Sequence, residues 1–559
     1  MLLLLGLFVF YFFLFRGLGL WVDKGRHAIP LGTVLGVLSG AGFMAIVLYF
    51  YHFFAGSTVY LLGLFVLAAG VAWWRYGEIW WINTLSTFKE TTFNERLLAV
   101  AGFLIITAYS ALPSSVIDEG LYYAQAILWF ENYGFLKGLA NFDYYLGQGS
   151  SLHALESLVN MHYLGLRFND LGGFFTAVWT SNLLLKSKAI GYGKVLVASL
   201  GLLSFITLLS ASNADMLLYL IATTLFVSTH DQLGLKAIFL LVSLAALSKL
   251  SGLILVIWLA LQPKVLPKVA AFVLTILVLI KGWFLTGYAL FPFLDWQISS
   301  VPWQLPQAAF EMQGKLKAIV VYDWPVLESF YESHSQFENI KKLLFGTGFT
   351  SIVCWLALVG LILMVLKGFK DSNVKKWFWI ITLYFFLWFL FSAQARLILP
   401  LLFLPYLALS TKISDSLTGR VLNSAVWLGF LFFLVNPTKL PLRYFYKASK
   451  SFSYSFKSDY FLKPAAVWAI SADRKKAHVS GYSYYLPPEA NYCFYSSFPC
   501  TPYFLNDYLV PDSLYAPVLL GEEFCDGFRY QAVAYDTLLL RHYNTLNYKA
   551  IRRYFRMPH

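Results

Sequence analysis

Six charged side chains in this sequence fall where charge is expensive. Asp118 and Glu119 follow an apolar run at 97–112, and Asp215 begins another run after Ser212-Asn213-Ala214. Lys249 sits between serines in the middle of a third run, and Lys281 and Arg396 lie inside or at the ends of two more. Ionised groups close to hydrocarbon cost roughly 3 kcal/mol or more each, so such positions call for a reason. Taken singly, each has an ordinary one, because charges at helix ends reach into water. Taken together they place carboxylates and cations around one mouth. That combination suits general-base activation of an acceptor hydroxyl, with Lys and Arg neutralising a departing phosphate. Arg offers planar, two-pronged phosphate contacts and Lys a point charge. His153, Glu156 and His162 follow at spacings that could hold a metal, with an ordinary surface helix as the simpler expectation.

The elements that would carry these residues are apolar. The chain has 559 residues, of which 59% are hydrophobic and 13% charged. Soluble domains carry nearly twice that charge, which identifies a polytopic membrane protein. Tyr and Trp are abundant enough for interfacial belts on many helices. The net charge of +13 lies mostly in short gaps between apolar runs, where it sets topology. No basic-aromatic platform is present, and nucleic acid is excluded as a partner. The first fifteen residues lack the basic start and small-residue cleavage site of a secretory signal and read as a retained first span.

Apolar runs recur to about residue 436 and predict about 13–14 membrane helices. Lys and Arg in short loops set their orientation. Lys24 and Arg26, then Arg75, Lys89 and Arg96, then Lys186, Lys188 and Lys194 face the cytoplasm, which sends Asp118-Glu119 and Asp215 outward. The run 236–261 fits this parity only if it splits at Ser248-Lys249-Leu250-Ser251 into a short re-entrant pair with Lys249 at the tip. Such a tip belongs in a protein-lined cavity. The outer loops are then 114–167 and 288–345, and Arg396 lies at an outer turn. In the first of these loops the Tyr122/Tyr123, Ala126/Ile127, Phe130 spacing predicts an amphipathic helix along the membrane surface.

From Pro437 the composition turns polar and aromatic, with short β-like stretches, and predicts a small extracytoplasmic α/β domain over 437–559. Cys493, Cys500 and Cys525 cluster there, and on an oxidising face the first two are spaced to close a disulfide.

In order along the chain, these features resemble the GT-C superfamily of membrane glycosyltransferases, which includes protein mannosyltransferases and the lipid A aminoarabinose transferase. Asp118-Glu119 followed by Tyr122 and Tyr123 is similar to the family's first outer loop, whose Asp is catalytic. Ser212-Asn213-Ala214-Asp215 resembles the second acidic motif, and Ser248-Lys249-Leu250-Ser251 the short hairpin with its central Lys. Lys281-Gly282-Trp283-Phe284-Leu285-Thr286-Gly287 and Ala395-Arg396-Leu397-Ile398-Leu399-Pro400 resemble two later basic motifs, with Leu397 where an aromatic is usual. The segment 141–151 lacks the basic residue expected there.

The resemblance implies a core at 95–436 and additional N-terminal helices at 1–94. It also implies a polyprenyl-phosphate-linked sugar as donor, drawn from the membrane lipid. Asp118 would be the catalytic base with Glu119 assisting, Asp215 would position the acceptor or a metal, and Lys249, Lys281 and Arg396 would hold the donor phosphate. A divalent metal is left open. The implied location is the bacterial inner membrane, with the active face and C-terminal domain periplasmic. Two alternatives stand beside the enzyme: a non-catalytic scaffold subunit of a cell-envelope complex, and a transporter. A transporter would carry an internal repeat, and none is visible.

Overall fold

The computed structural model describes residues 1–435 apart from 26–30, 113, 115–117, 165–167, 169, 229–233, 308–334, 347–348, 369–371, 392–393 and 411–416. Beyond 435 it describes 475–479, 482–486, 498–500, 515–520 and 523–532. The β-like stretches at 466–470 and 535–541 and residues 308–334 of the second outer loop fall outside these residues.

The chain is mostly α-helical. Helices α1 (Leu2–Asp23), α2 (Gly32–Tyr51), α3 (Val59–Glu90) and α4 (Phe93–Ser110) come first. The short α5 (Ala124–Asn132) and α6 (Ser151–Val159) follow in the first loop region. Then come α7 (Leu171–Leu185), α8 (Tyr192–Leu203), α9 (Ala214–Val227), α10 (Leu235–Ser248), α11 (Leu253–Ala260) and α12 (Val265–Thr286). The last helices described are α13 (Gln336–Phe345), α14 (Phe349–Lys367), α15 (Ser372–Phe391), α16 (Ala395–Leu402), α17 (Leu404–Leu409) and α18 (Leu417–Val435).

Among the described residues, five helices are long and apolar enough to cross a membrane. Several others are apolar but short. A helix such as α9, with 14 residues, spans about 21 Å, less than the roughly 30 Å of a hydrocarbon core. Turns carrying polar residues cut these helices, and the cuts are tolerated where protein surrounds them.

The break expected at Ser248–Ser251 is present. α10 ends at Ser248, Lys249 is extended, a single 3-10 turn covers Leu250–Gly252, and α11 starts at Leu253. The chain reverses so tightly that a Cβ on Gly252 would lie 2.3 Å from the Ala245 carbonyl oxygen, which only glycine avoids.

The first two helices, expected as an addition before the core, pack into it. A Cβ on Gly42 of α2 would lie 2.2 Å from the Leu240 carbonyl oxygen of α10, so the two backbones touch as small-residue membrane interfaces do. On α1, Phe8 packs edge-on against Phe174 of α7, and the Tyr11 hydroxyl donates to Asp170 at 3.2 Å. α5 and α6 also differ from expectation. Neither lies on a surface: residues 124–131 and all of α6 are buried, with α6 covered by α2, α5 and α10.

α4 starts with a capping box in which the Thr92 side chain and Glu95 exchange hydrogen bonds. The other oxygen of Glu95 accepts from Ser187 Oγ at 3.1 Å and so ties α4 to the turn after α7.

Among the described residues beyond 435, two antiparallel pairs appear: β1 (Lys475–Val479) with β2 (Tyr482–Leu486), and β3 (Tyr515–Leu519) with β4 (Phe528–Ala532). Cys500 is disulfide-bonded, while Cys354 and Cys525 are free. Cys493, expected as the partner of Cys500, lies outside the described residues.

α1 also carries a buried ion pair, Arg16 Nη1 to Asp23 Oδ2 at 2.9 Å. Truncating one partner strands the other charge. An Asp23→Ala substitution is therefore expected to cost about 3–5 kcal/mol, read as a lowered thermal transition of the detergent-solubilised protein. An unchanged transition would show that the pair carries no stability.

Candidate functional site

Asp118 stands where the chain leaves the turn after α4. It precedes a single π-helical turn, Glu119–Tyr123, which runs directly into α5. Such turns shift side chains off the regular helical face and occur often at functional sites. One oxygen of Asp118 accepts from Arg396, which lies in the first turn of α16, and from the Tyr123 hydroxyl at 3.5 Å. The two ends of this ion pair are separated by 278 residues.

Asp215 is placed by a cap. Asn213 Oδ1 accepts the Asp215 backbone N–H at 2.7 Å and starts α9 there, so the carboxylate lies in the helix's first turn. That carboxylate is fully buried and accepts from Lys249 at the tip of the α10–α11 hairpin. Lys281 reaches the same place from α12. Its ammonium donates to the carbonyls of Gly149 and Leu247, each at 2.8 Å. Two of its three N–H groups are thus used and one remains. The segment 141–151 lacks a basic residue of its own, and Lys281 brings the cation to its Gly149 carbonyl.

Asp118, Lys249, Lys281 and Arg396 line one cavity of about 500 Å³. Its other walls are Tyr122, Tyr123, Tyr144, Tyr145 and Phe291, with Gln148, Gln394 and Ser248 among the polar groups. Buried polar atoms on this lining, Ser248 Oγ and Arg396 Nε among them, make no hydrogen bond. Asp215 stands behind the lining and meets the cavity through Lys249. Glu119 is not on the lining either: it is buried and accepts the Ser212 backbone N–H at 3.1 Å.

Sequence reasoning passed over His153, Asn213 and the Tyr144–Tyr145 pair as parts of this site. Asn213 had a signal, an N-cap residue two places before an acid that starts an apolar run. His153 and the tyrosines had none, because only the fold brings the first loop over the α10–α11 hairpin. His153 lines the cavity, and its Nε2 lies 3.0 Å from the Ser212 carbonyl. That contact requires Nε2 to carry the proton and leaves Nδ1 as an acceptor. Burial pushes its pKa down to about 4, so the ring is neutral at physiological pH.

Behind this wall lies a buried acid group. Glu156 Oε1 accepts the Leu171 N–H at 2.9 Å and faces Ser212 Oγ at 3.5 Å. Burial first, and then the neighbouring Asp170, push the Glu156 carboxyl well above the ordinary range. His153, Glu156 and His162 do not meet at a metal site. His162 turns instead to Asn160 at 2.9 Å, and no group of three or more His, Cys, Asp or Glu suited to a metal occurs among the described residues.

The arrangement is that of a mostly helical chain with membrane-length helices and a cavity lined by two carboxylates, Asp118 and the exposed Asp295, with three cations and tyrosines. The chain belongs to the family described as a domain of unknown function (DUF8201), whose model matches residues 1–403. Every residue lining the cavity falls within that match. No curated protein and no solved structure matches the chain.

A raised carboxyl pKa has a sign that can be tested. The native state holds a proton on Glu156 that the unfolded state releases above about pH 4, so this group's contribution to stability falls as pH rises. Glu156→Gln keeps the shape and removes the titration. Relative to wild type, the variant is expected to gain thermal stability between pH 5 and 8, by up to about 1.4 kcal/mol per pH unit. A constant difference across that range would show that Glu156 does not bind a proton on folding.

Proposed function

We propose that the protein is a membrane transferase of the GT-C type, which moves a sugar or related group from a polyprenyl-phosphate carrier to an acceptor hydroxyl at the extracytoplasmic face of a bacterial inner membrane. The observation that carries this reading is the convergence of Asp118, Lys249, Lys281 and Arg396 on one cavity, from four separate parts of the chain.

In this reading the acceptor hydroxyl attacks the anomeric carbon as the bond to the phosphate oxygen breaks. The proton goes to Asp118, and the electron pair leaves with the polyprenyl phosphate. Lys281, with one N–H uncommitted and no carboxylate in ion-pairing reach among the described residues, meets the phosphate charge. Arg396 has a double part. An arriving phosphate competes with Asp118 for the guanidinium, and this exchange releases the carboxylate to act as base when the donor is bound. Lys249 stays tied to Asp215, which keeps the hairpin tip in the cavity. Glu119 serves through Ser212 as part of the frame.

A second reading, a non-catalytic scaffold member of an envelope complex, is favoured by one feature. Arg396 and Tyr123 both address the same oxygen of Asp118, so that oxygen is already engaged in contacts that hold the fold together.

The deciding experiment follows release of polyprenyl phosphate by the purified protein from a panel of polyprenyl-phosphate sugars. Turnover is expected with at least one donor, falling 10²- to 10⁴-fold in Asp118→Asn with donor binding kept. Donor binding without turnover, unchanged in Asp118→Asn, supports the scaffold and overturns the enzyme. Lys281→Met is expected to weaken donor binding at least tenfold, about 1.4 kcal/mol, measured by titration with the same lipid. Unaltered affinity would remove Lys281 from the phosphate site.

A further inference from the structure

Residues 498–500 and 523–532 lie beyond the part of the chain that the family model matches, yet they are bound to the first loop region within it. The buried Cys500 donates its backbone N–H to Gln125 Oε1 of α5 at 2.9 Å. One turn further along the same helix, Trp129 is enclosed by three aromatic rings from these residues. Phe498 lies 4.8 Å away, and Phe524 and Phe528 each lie 5.7 Å away, all edge-on. The backbones join as well: the Phe528 N–H donates to the Lys137 carbonyl at 2.8 Å, and Asn141 Nδ2 donates to the Phe528 carbonyl at 3.3 Å. Phe142 packs on Phe528 at 5.3 Å, and Phe528 has no exposed surface.

These anchor points lie next to the cavity walls. Tyr122, Tyr123 and Ala126 line the cavity from the start of α5 and the turn before it, while Gln125 and Trp129 hold the C-terminal residues. Asn141 and Phe142 are anchored likewise, a few residues before the lining residues Tyr144 and Tyr145. Two of the walls that the first loop region contributes, the start of α5 and the residues from Tyr144, are therefore joined at neighbouring positions to the same C-terminal segment.

We infer that the C-terminal segment around Cys500 and Phe528 is the positioning element of the cavity, a disulfide-closed backing that holds α5 and residues 139–149 in place and with them Asp118. Helix α5 has nine residues, too few to be stable alone. Its geometry depends on what packs against it, and the aromatic enclosure of Trp129 is a large share of that packing. The consequence for chemistry rests on the transferase reading, whereas the position of α5 does not, and the experiment measures the latter.

The test is amide hydrogen exchange on the full-length protein in detergent, comparing wild type, Phe528→Ala, Phe528→Leu and wild type reduced with a phosphine. In Phe528→Ala, exchange over 119–133 and 139–149 is expected to accelerate at least tenfold, with α9 and α12 unchanged. Phe528→Leu restores most of the apolar volume and is expected to return the protection. Reduction is expected to accelerate the same two stretches. Acceleration confined to 498–532, with 119–149 as protected as in wild type, overturns the inference. So does a Phe528→Leu chain that exchanges as fast as Phe528→Ala. Should Phe528→Ala unfold globally, the reduced wild-type protein decides by the same two patterns.

Discussion

Charge buried among apolar helices must be matched by opposite charge or by hydrogen bonds, and this requirement organises the protein. Asp118 is matched by Arg396 and Asp215 by Lys249. Lys281 is matched by two carbonyl oxygens. In a low-dielectric interior an unmatched partner would cost several kcal/mol. The end of α4, the start of α9, the α10–α11 hairpin and the start of α16 are therefore held to one place. The ion pairs keep these broken helix ends together, and the cavity is the space they enclose.

Breaks in the helices make that enclosure available. A continuous span presents side chains to lipid or to neighbouring helices, whereas a break exposes backbone and turns side chains inward. The Asn213 cap, the extended Lys249 between two helices and the π-helical turn after Asp118 are three such breaks. Their cost is offset because the freed groups bond to one another. Asn213 illustrates the economy, since its side chain both caps α9 and donates to the Tyr123 hydroxyl at 3.1 Å.

Adjacent acids receive different roles from burial alone. Asp118 and Glu119 are neighbours in sequence, but Asp118 faces the cavity, while Glu119 faces the Ser212 backbone. Glu156 and Asp170 are enclosed further back, without an ion-pair partner among the described residues, and hold protons where a solvated acid would release them. The same residue type is thus a paired anion, a backbone anchor or a protonated acid, according to what surrounds it.

Much of this was legible in the sequence because it depends on local cost. Apolar run length marks helices, Lys and Arg in gaps mark loops, and a lysine between two serines inside an apolar run marks a break. Asp118, Asp215, Lys249, Lys281 and Arg396 stood out for the same reason, since each is expensive where it lies. Whether they would share a cavity was not legible, because loop charge orders the sides of a membrane and says nothing about distance across it. Nor did periodicity show that α5 and α6 are buried on every face. An amphipathic pattern tells which side of a helix is apolar, and here the polar side is covered too, by α2 and α10 around α6 and by the Cys500 segment on α5. The sequence alone determined where charge and breaks occur, since those follow from the chemistry of single residues in hydrocarbon. Only the tertiary structure decided which carboxylate faces the cavity and which cation meets it, because those pairings join residues as much as 278 positions apart.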